Sequence, residues 1–297
     1  MKMFDIKWFH ESESVKDAID YLKKDEDAEI ISGGTDVLIW VRDGKYAGKA
    51  LVSIHNLNEL KGIDLESNGD ICIKPGTSFY NITNNDIVKK YIPSLGEAVD
   101  MVGGPQTRQT GTIGGNICNG ATSAESASTM VAFDSEIHLM GPNGSRVVKI
   151  SDWYMGPGKT VKDRCEVVTK FVIKKENYEG YVGHYIKYGK RNAMEIATLG
   201  CSVLVKLDSS KTKIEDVKIA YGVAAPTPIR AKSAEEFAKG KQYDEKFFEE
   251  FGEKALLDCK PRDSWRASKA FREHLIKVLA KDCLKEAIKK AGGKIDG

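Results

Sequence analysis

The spacing of apolar residues predicts small α/β units over the first third of the chain. A first helix places its apolar side chains on one face, after Ser14-x-x-Asp17, a pairing typical of a helix N-terminus. Short continuous apolar runs at residues 28–32 and 50–54 predict buried strands, and the run at residues 37–41 has helical spacing. The apolar face of the first helix is formed by Val15, Ala18, Ile19 and Leu22.

From residue 68 the pattern changes to longer helices mixed with strands. Two strand-like runs, at residues 136–140 and 146–150, flank Gly141-Pro142-Asn143-Gly144, and this turn-rich tetrapeptide predicts a hairpin. The other elements predicted in this region are a strand at residues 70–74 and helices at residues 79–91, 93–101 and 124–133.

A polar stretch at residues 174–177 marks a change of composition and predicts a domain boundary. Three runs beyond it, at residues 181–188, 198–207 and 217–223, predict strands. The C-terminal region has apolar residues at helical spacing with Lys and Glu between them, which predicts an amphipathic helix that packs on a core. The residues of that stripe are Ala267, Phe271, Leu275, Val278, Leu279, Ala287 and Ile288.

Composition excludes several classes of protein. The 297 residues are 41% hydrophobic and 30% charged, as in soluble globular proteins. A formal net charge of +2 gives no electrostatic reason to expect nucleic acid or an anionic membrane as a partner. The N-terminal residues lack the pattern of a secretory signal, and no run approaches the ~20 apolar residues of a membrane span. We therefore expect a cytoplasmic protein.

The six cysteines predict neither a metal site nor a disulfide framework. Neighbouring cysteines are at least 24 residues apart in the sequence, and there is no C-x-x-C motif. Iron–sulfur and zinc centres need clustered thiolates, so none is expected on this chain. The five histidines are scattered as well, and no catalytic acid or base is assigned to any of them.

Two glycine clusters carry the candidate chemistry, Ser32-Gly33-Gly34-Thr35-Asp36 and Thr112-Ile113-Gly114-Gly115-Asn116. Neither fits G-x-G-x-x-G, and Gly158-Lys159-Thr160 lacks the first glycine of a P-loop. Because glycine has no Cβ, paired glycines let backbone N–H groups approach a phosphate. Gly-Gly also serves tight turns for steric reasons alone, so a single loop would be weak support. Two loops about eighty residues apart favour a ligand with two phosphates.

These clusters resemble the double fingerprint of the FAD-binding subunits of molybdenum hydroxylases, a family that includes xanthine dehydrogenase, carbon monoxide dehydrogenase and aldehyde oxidase. The resemblance covers essentially the whole chain and is strongest to the FAD subunits of bacterial xanthine dehydrogenases. No single motif is specific, but the set is. The further motifs that carry it lie at residues 54–60, 103–108, 156–160, 222–230 and 265–268.

The resemblance implies an α+β fold with two domains. A two-part FAD-binding domain of the type found in vanillyl-alcohol oxidase and the CO dehydrogenase flavoprotein is expected over residues 1–176, with sub-parts at about 1–56 and 57–176. A smaller α+β domain of the CO dehydrogenase flavoprotein C-terminal type, with a three-stranded antiparallel sheet and helices, is expected over residues 177–297. The change of composition near residue 175 agrees with this division.

The resemblance also implies a set of FAD-binding residues. The first glycine cluster would hold the pyrophosphate, and the second would form the opposite wall. Glu125 would bond hydroxyl groups of FAD, Val168 would pack near the cofactor, and Lys187 would stabilise the anionic reduced flavin. From the residues alone, Glu125 could equally be a first-turn helix carboxylate and Lys187 a solvated strand residue. The implied set is Ile30, Ile31, Ser32, Gly33, Gly34, Thr35, Asp36, Thr112, Gly114, Gly115, Asn116, Glu125, Val168 and Lys187.

The function implied by the resemblance is electron transfer. Electrons would arrive from [2Fe-2S] clusters on a small partner subunit, after the substrate is hydroxylated at the molybdenum cofactor of a large partner subunit. They would leave through FAD to NAD⁺. Xanthine is favoured as the substrate only by closeness of resemblance. Two other classes stay open, a stand-alone FAD-dependent oxidoreductase of the same fold and a non-catalytic nucleotide-binding module.

Overall fold

A small parallel sheet opens the chain. In this computed structural model, which describes residues 5–295, β3 (Leu51–Ser53) lies between β1 (Phe9–Glu11) and β2 (Glu29–Ile31) and pairs parallel with both. Parallel strands need crossover connections, and here these contain α1 (Val15–Lys24) and α2 (Val37–Arg42). The strands and helices predicted for this region are therefore confirmed.

The first helix begins where its sequence signal predicts. The Ser14 side chain accepts the backbone N–H of Asp17 at 3.1 Å, and the predicted apolar face is buried. In a complete capping box the side chain at position 17 would accept the backbone N–H of Ser14. Here the Asp17 carboxylate instead lies 2.7 Å from the His10 ring. The motif therefore acts as an N-cap that also connects α1 to β1.

A five-stranded antiparallel sheet forms the centre of the second part of the first domain, which begins near residue 57. The strand order is β4-β5-β10-β6-β7. Its strands are β4 (Ile63–Leu65), β5 (Ile71–Ile73), β6 (Glu136–Gly141), β7 (Gly144–Lys149) and β10 (Val167–Ile173), and a small hairpin of β8 (Tyr154–Gly156) and β9 (Lys159–Thr160) lies beside it. The predicted strand at residues 70–74 and the predicted hairpin of β6 and β7 are confirmed. Val167 packs into the core of the first part and Val168 into that of the second, so β10 joins the two.

The helix predicted at residues 79–91 is two helices. They are α3 (Phe79–Asn84) and α4 (Asp86–Tyr91), and Asn85 separates them in an extended conformation. The Asn85 side chain accepts the N–H groups of Ile87 and Val88 at 2.9 and 3.3 Å, which caps a new helix. The remaining helices of this part are α5 (Pro93–Asp100), α6 (Pro105–Thr110), α7 (Ile113–Cys118) and α8 (Glu125–Ala132).

The C-terminal domain contains the three long antiparallel strands that the sequence predicts, β11 (Val182–Tyr188), β12 (Leu199–Leu207) and β13 (Ile214–Gly222). A short strand that was not predicted, β14 (Ile229–Arg230), extends the sheet beside β13. Three helices follow, α9 (Lys232–Ala238), α10 (Glu245–Leu256) and α11 (Lys269–Lys290). Among residues 5–295, no helix has both the length and the apolar character needed to cross a bilayer.

Each face of the C-terminal sheet is covered by different helices. Val203 and Ile219 belong to the core shared with α9, α10 and α11, whereas Leu204 and Ala220 belong to the core of the first domain, which includes α8. This alternation follows from the two-residue period of a strand. On α11 the predicted stripe is only partly correct, because Phe271 is 40% exposed whereas Ile276, which was not predicted, is fully buried.

An ion-pair cluster connects the two domains near the C-terminal end of α8. Asp134, which follows α8, lies 2.6 Å from Arg230 and 3.1 Å from Lys218 of the C-terminal domain. Burial alone would raise the pKa of the Asp134 carboxyl, but the charges of Arg230 and Lys218 outweigh this effect and lower that pKa below its ordinary value. The carboxylate is therefore ionised at neutral pH, where it stabilises the domain junction.

We expect Asp134→Asn to reduce stability in a pH-dependent way. Asparagine tolerates the positive φ of 47° at this position. Because the folded pKa is lowered, the stabilisation is present above the unfolded pKa of about 3.9 and is lost as pH falls through the folded value. Urea unfolding should show the variant to be about 1 kcal/mol less stable at pH 7, as for half-exposed pairs, and this difference should shrink steadily as the pH is lowered below about 3.9. Equal stability at pH 7 would contradict this role.

Candidate functional site

The two glycine clusters meet where β2 ends and α7 begins. The Thr112 hydroxyl donates to the Ser32 hydroxyl at 3.3 Å, although the two residues are eighty positions apart. The Asn119 side-chain amide, just after α7, donates to the Asp36 carboxylate of the first cluster. The structure thus brings the two predicted clusters together into one site.

Most of these glycines are explained by contacts within the protein. A Cβ at position 33 would lie 1.9 Å from the Thr110 carbonyl oxygen, and one at position 114 would lie 2.6 Å from the Pro75 side chain. Gly34 has a φ of +71°, a conformation that favours glycine. Of these four glycines, Gly115 has the fewest neighbours, although a Cβ there would still meet the Thr112 hydroxyl at 3.2 Å, which would have to move slightly. Gly33, Gly34 and Gly114 are therefore explained by loop packing, whereas Gly115 is partly exposed and has the most room.

The two clusters also differ in their backbone N–H groups. In the second cluster the N–H groups of residues 113–116 are already used; for example, Gly114 donates to the Pro75 carbonyl at 2.8 Å and Gly115 to the Thr112 hydroxyl at 3.1 Å. In the first cluster, four consecutive N–H groups, those of residues 33–36, donate to no other residue in the described part of the chain. The first cluster is therefore the one that can offer backbone donors to an anion.

Side chains around the clusters hold these loops in place. Burial raises the pKa of the Asp36 carboxyl, and the hydrogen bond from Asn119 opposes that rise. The Asn116 side-chain carbonyl accepts the Ser126 hydroxyl at 2.6 Å, which connects the second cluster to α8. The side chains of Asp36 and Asn116 are thus both hydrogen-bonded within the protein, and these bonds hold the two loops that form the walls of the site.

Glu125 and Lys187 form a buried ion pair between the two domains. The Lys187 ammonium lies 2.7 Å from the Glu125 carboxylate, and each side chain is only 8% exposed. Lys187 also donates to the carbonyl oxygen of Met101, at the end of α5, at 2.8 Å. Burial raises the pKa of the Glu125 carboxyl, and the charge of Lys187 acts against that rise. Interpreting Lys187 as a solvated strand residue is therefore wrong, whereas Glu125 is both the first residue of α8 and a partner in this pair.

Three predicted residues have positions in the cores beside the site. Ile31 is buried at the end of β2, and Ile30 packs against the core of the first part, so both fix the start of the first cluster. Val168 is buried opposite Leu139, beside an irregularity of β10 at Thr169. No hydrogen bond in the described part of the chain joins Val168 to either cluster, and its contact with a cofactor stays a prediction.

Sequence reasoning missed the groups that hold the site together. These are the carbonyl oxygens of Thr110 and Met101, the Asn119 amide and the Ser126 hydroxyl. Asn119 and Ser126 stand close to the second cluster and to Glu125 in the sequence, so polar residues flanking a glycine cluster could have pointed to them. The two carbonyl oxygens leave no trace in residue type, because every residue carries one.

The sequence matches two family models that together span most of the chain. Residues 2–174 match the FAD-binding domain in molybdopterin dehydrogenase. Residues 184–287 match the CO dehydrogenase flavoprotein C-terminal domain. The combination defines a two-domain FAD-binding protein of the α+β type, as expected from the sequence.

Full-length relatives and solved structures narrow this class. The xanthine dehydrogenase FAD-binding subunit of Escherichia coli O157:H7 is 39% identical over 293 residues, which cover 99% of this chain and 100% of that protein. The glyceraldehyde dehydrogenase medium chain of Sulfolobus acidocaldarius is 30% identical over 93% of this chain and 96% of its own length. A carbon monoxide dehydrogenase chain from Hydrogenophaga pseudoflava has the same fold, with a TM-score of 0.89, 26% identity and coverage of 95% and 97%. The chain belongs to the FAD-binding medium subunits of the molybdenum hydroxylase family.

We expect alanine at position 33 to reduce stability far more than alanine at position 115. Gly33→Ala forces a Cβ against the Thr110 carbonyl oxygen, so the loops must separate, and we expect a loss of more than about 2 kcal/mol in the free energy of unfolding. Gly115→Ala lies within α7, where alanine has the higher helix propensity, but its Cβ meets the Thr112 hydroxyl at 3.2 Å, so we expect a change of no more than about 1 kcal/mol. Urea unfolding of the FAD-free variants measures both. A stable Gly33→Ala would show that the loops do not depend on this contact.

Proposed function

We propose that this chain is the flavin-carrying electron exit of a multi-subunit molybdenum hydroxylase of the xanthine dehydrogenase type. The observation that carries the proposal is the run of four backbone N–H groups at residues 33–36, which have no protein acceptor among residues 5–295 and belong to the cluster that Thr112 joins to the second cluster. Such a run suits the pyrophosphate of a dinucleotide such as FAD. The buried cation of Lys187 lies in the same region, since Glu125 adjoins Ser126, which bonds the second cluster.

Each cluster would have its own part in binding FAD. Residues 32–36 would bind the pyrophosphate through their backbone, with Ile30 and Ile31 holding the loop at the end of β2. The second wall would be formed by Thr112, Gly114, Gly115 and Asn116, and it would act by shape because its N–H groups are already used. Bound FAD would supply the redox chemistry, accepting electrons singly and releasing them in pairs.

Glu125, Lys187 and Val168 would hold the rest of the cofactor. Glu125 would keep one carboxylate oxygen for hydroxyl groups of FAD while the other bonds Lys187 at 2.7 Å. Lys187 would place its positive charge beside the flavin ring, where it raises the reduction potential by stabilising the anionic reduced form. Val168 would give the cofactor an apolar contact. No residue of this chain is proposed as a catalytic acid or base.

The proposed partners are a large subunit with the molybdenum cofactor and a small subunit with [2Fe-2S] clusters, and NAD⁺ is the proposed acceptor. The support is similarity over full length to a protein described as a xanthine dehydrogenase FAD-binding subunit. The same similarity favours this proposal over a stand-alone FAD-dependent oxidoreductase of the same fold. We place the domain division between residues 176 and 177 and the complex in the cytoplasm.

Gly115→Asp should abolish FAD binding and leave the fold intact. The new carboxylate would occupy the partly exposed surface of the second wall and repel the pyrophosphate. Flavin released on denaturation, quantified by absorbance, should fall to near zero, while circular dichroism stays unchanged. Gly115→Ala is the matched control, because it adds a Cβ without charge and should retain FAD. If the aspartate variant binds FAD as tightly as the wild type, the second wall is misplaced.

The isolated FAD-loaded chain should oxidise NADH with an artificial dye and should not turn over xanthine. This separation follows because the site holds a flavin, whereas hydroxylation is proposed to occur on a partner subunit. Steady-state assays of the purified chain measure both activities. Xanthine turnover by the chain alone would support the stand-alone oxidoreductase. A chain that takes up FAD but leaves NADH unoxidised would rule out NAD⁺ as the acceptor.

A further inference from the structure

The outer edge of β11 is held by the last turn of α5, a helix of the first domain. The Glu97 carboxylate accepts the backbone N–H of Tyr185 at 3.1 Å and lies 2.8 Å from Nδ1 of His184. The Met101 carbonyl, directly after α5, accepts the side chain of Lys187 at 2.8 Å. Two acceptors on one helix end thus bind two points of one strand.

The spacing of these contacts fits the geometry of the two elements. Glu97 and Met101 are four residues apart, which is about 6 Å along a helix. Tyr185 and Lys187 are two residues apart, which is about 6.6 Å along a strand. Because the two spacings are similar, the bond between Glu97 and Tyr185 keeps this part of β11 beside the end of α5, from where the Lys187 side chain reaches both the Met101 carbonyl and Glu125.

The Glu97 carboxylate is also held by charge. It accepts a hydrogen bond from Lys290 of α11 in addition to the contact with His184. Burial would raise the pKa of Glu97, but these two partners outweigh burial and lower that pKa below its ordinary value. The group is therefore ionised at neutral pH, and it accepts the N–H of Tyr185 as a carboxylate.

We infer that Glu97 is a positioning residue that sets the place of the Lys187 charge through the backbone of β11. The inference rests on the proposed function, in which Lys187 lies beside the flavin. Glu97 itself is not assigned to the cofactor. Its effect depends on the reach of the side chain to Tyr185 more than on its charge, and this distinguishes it from a purely electrostatic residue.

Two conservative variants separate reach from charge. Glu97→Asp keeps the charge but shortens the side chain by one methylene, so it cannot span the 3.1 Å contact without movement of β11. Glu97→Gln keeps the length and one carbonyl acceptor but removes the charge. With the reduction potential of the flavin measured in the FAD-loaded full-length chain, we expect Glu97→Asp to lower it by most of the shift that Lys187→Ala produces. Glu97→Gln should stay close to the wild type.

Glu235→Asp is the matched control. Glu235 accepts the backbone N–H of Ile219 at 3.0 Å and pairs with Arg230, so it makes the same kind of contact with β13 of the same sheet. Shortening it should lower the unfolding temperature and leave the potential unchanged. As a second readout that needs no flavin, amide hydrogen exchange over residues 182–188 should be faster in Glu97→Asp than in Glu97→Gln.

The outcomes distinguish the two levels of the proposal. A chain that never binds FAD overturns the proposed function, but hydrogen exchange can still test the role of Glu97. If Glu97→Asp does not speed exchange over residues 182–188, that role is wrong. An unchanged potential in Lys187→Ala overturns the role of Lys187 and this inference together. If Lys187→Ala lowers the potential and Glu97→Asp does not, or if Glu235→Asp lowers it equally, only the inference on Glu97 is wrong.

Discussion

The contact between the backbone of Gly33 and the carbonyl oxygen of Thr110 is the constraint on which the site depends. It allows the loop after β2 to lie directly against the turn before α7, where Thr112 bonds Ser32 and Asn119 bonds Asp36. In the second cluster the N–H groups of residues 113–116 all have protein acceptors, whereas in the first cluster those of residues 33–36 have none within residues 5–295. The packing of the two loops thus leaves a run of free backbone donors at residues 33–36, which we propose as the anion site.

A second constraint lies at the junction of the two domains. Glu125 and Lys187 are buried together, and removing either would leave an uncompensated charge at a penalty of about 3–5 kcal/mol. The pair therefore fixes β11 against α8 whether or not a cofactor is bound. The Lys187 ammonium also bonds the Met101 carbonyl, and Glu97 bonds the backbone of Tyr185 two residues earlier on the same strand, so protein contacts hold both the cation and the strand that carries it.

Much of the fold could be predicted from the sequence, because its local signals agree with its tertiary structure. The Ser14 cap, the three long C-terminal strands and the hairpin around residues 141–144 all follow from short-range pattern, whereas the central strand β10 was not predicted. The break at Asn85 was missed because the apolar spacing continues across it. Helix α7 was missed because two glycines lower its helix propensity, and only the Thr112 cap and packing compensate for this.

For the site, residue types located the two clusters, and the family resemblance singled out Glu125 and Lys187 without pairing them. The packing contacts of the glycines were not predicted. Contacts such as Gly33 with Thr110 join residues far apart in sequence through backbone atoms, which no pattern encodes. The most direct test of the account is a crystal structure of the chain with FAD bound. It should show pyrophosphate oxygens within hydrogen-bonding distance of the N–H groups of residues 33–36. A pyrophosphate bound elsewhere, with these groups facing water, would contradict the account.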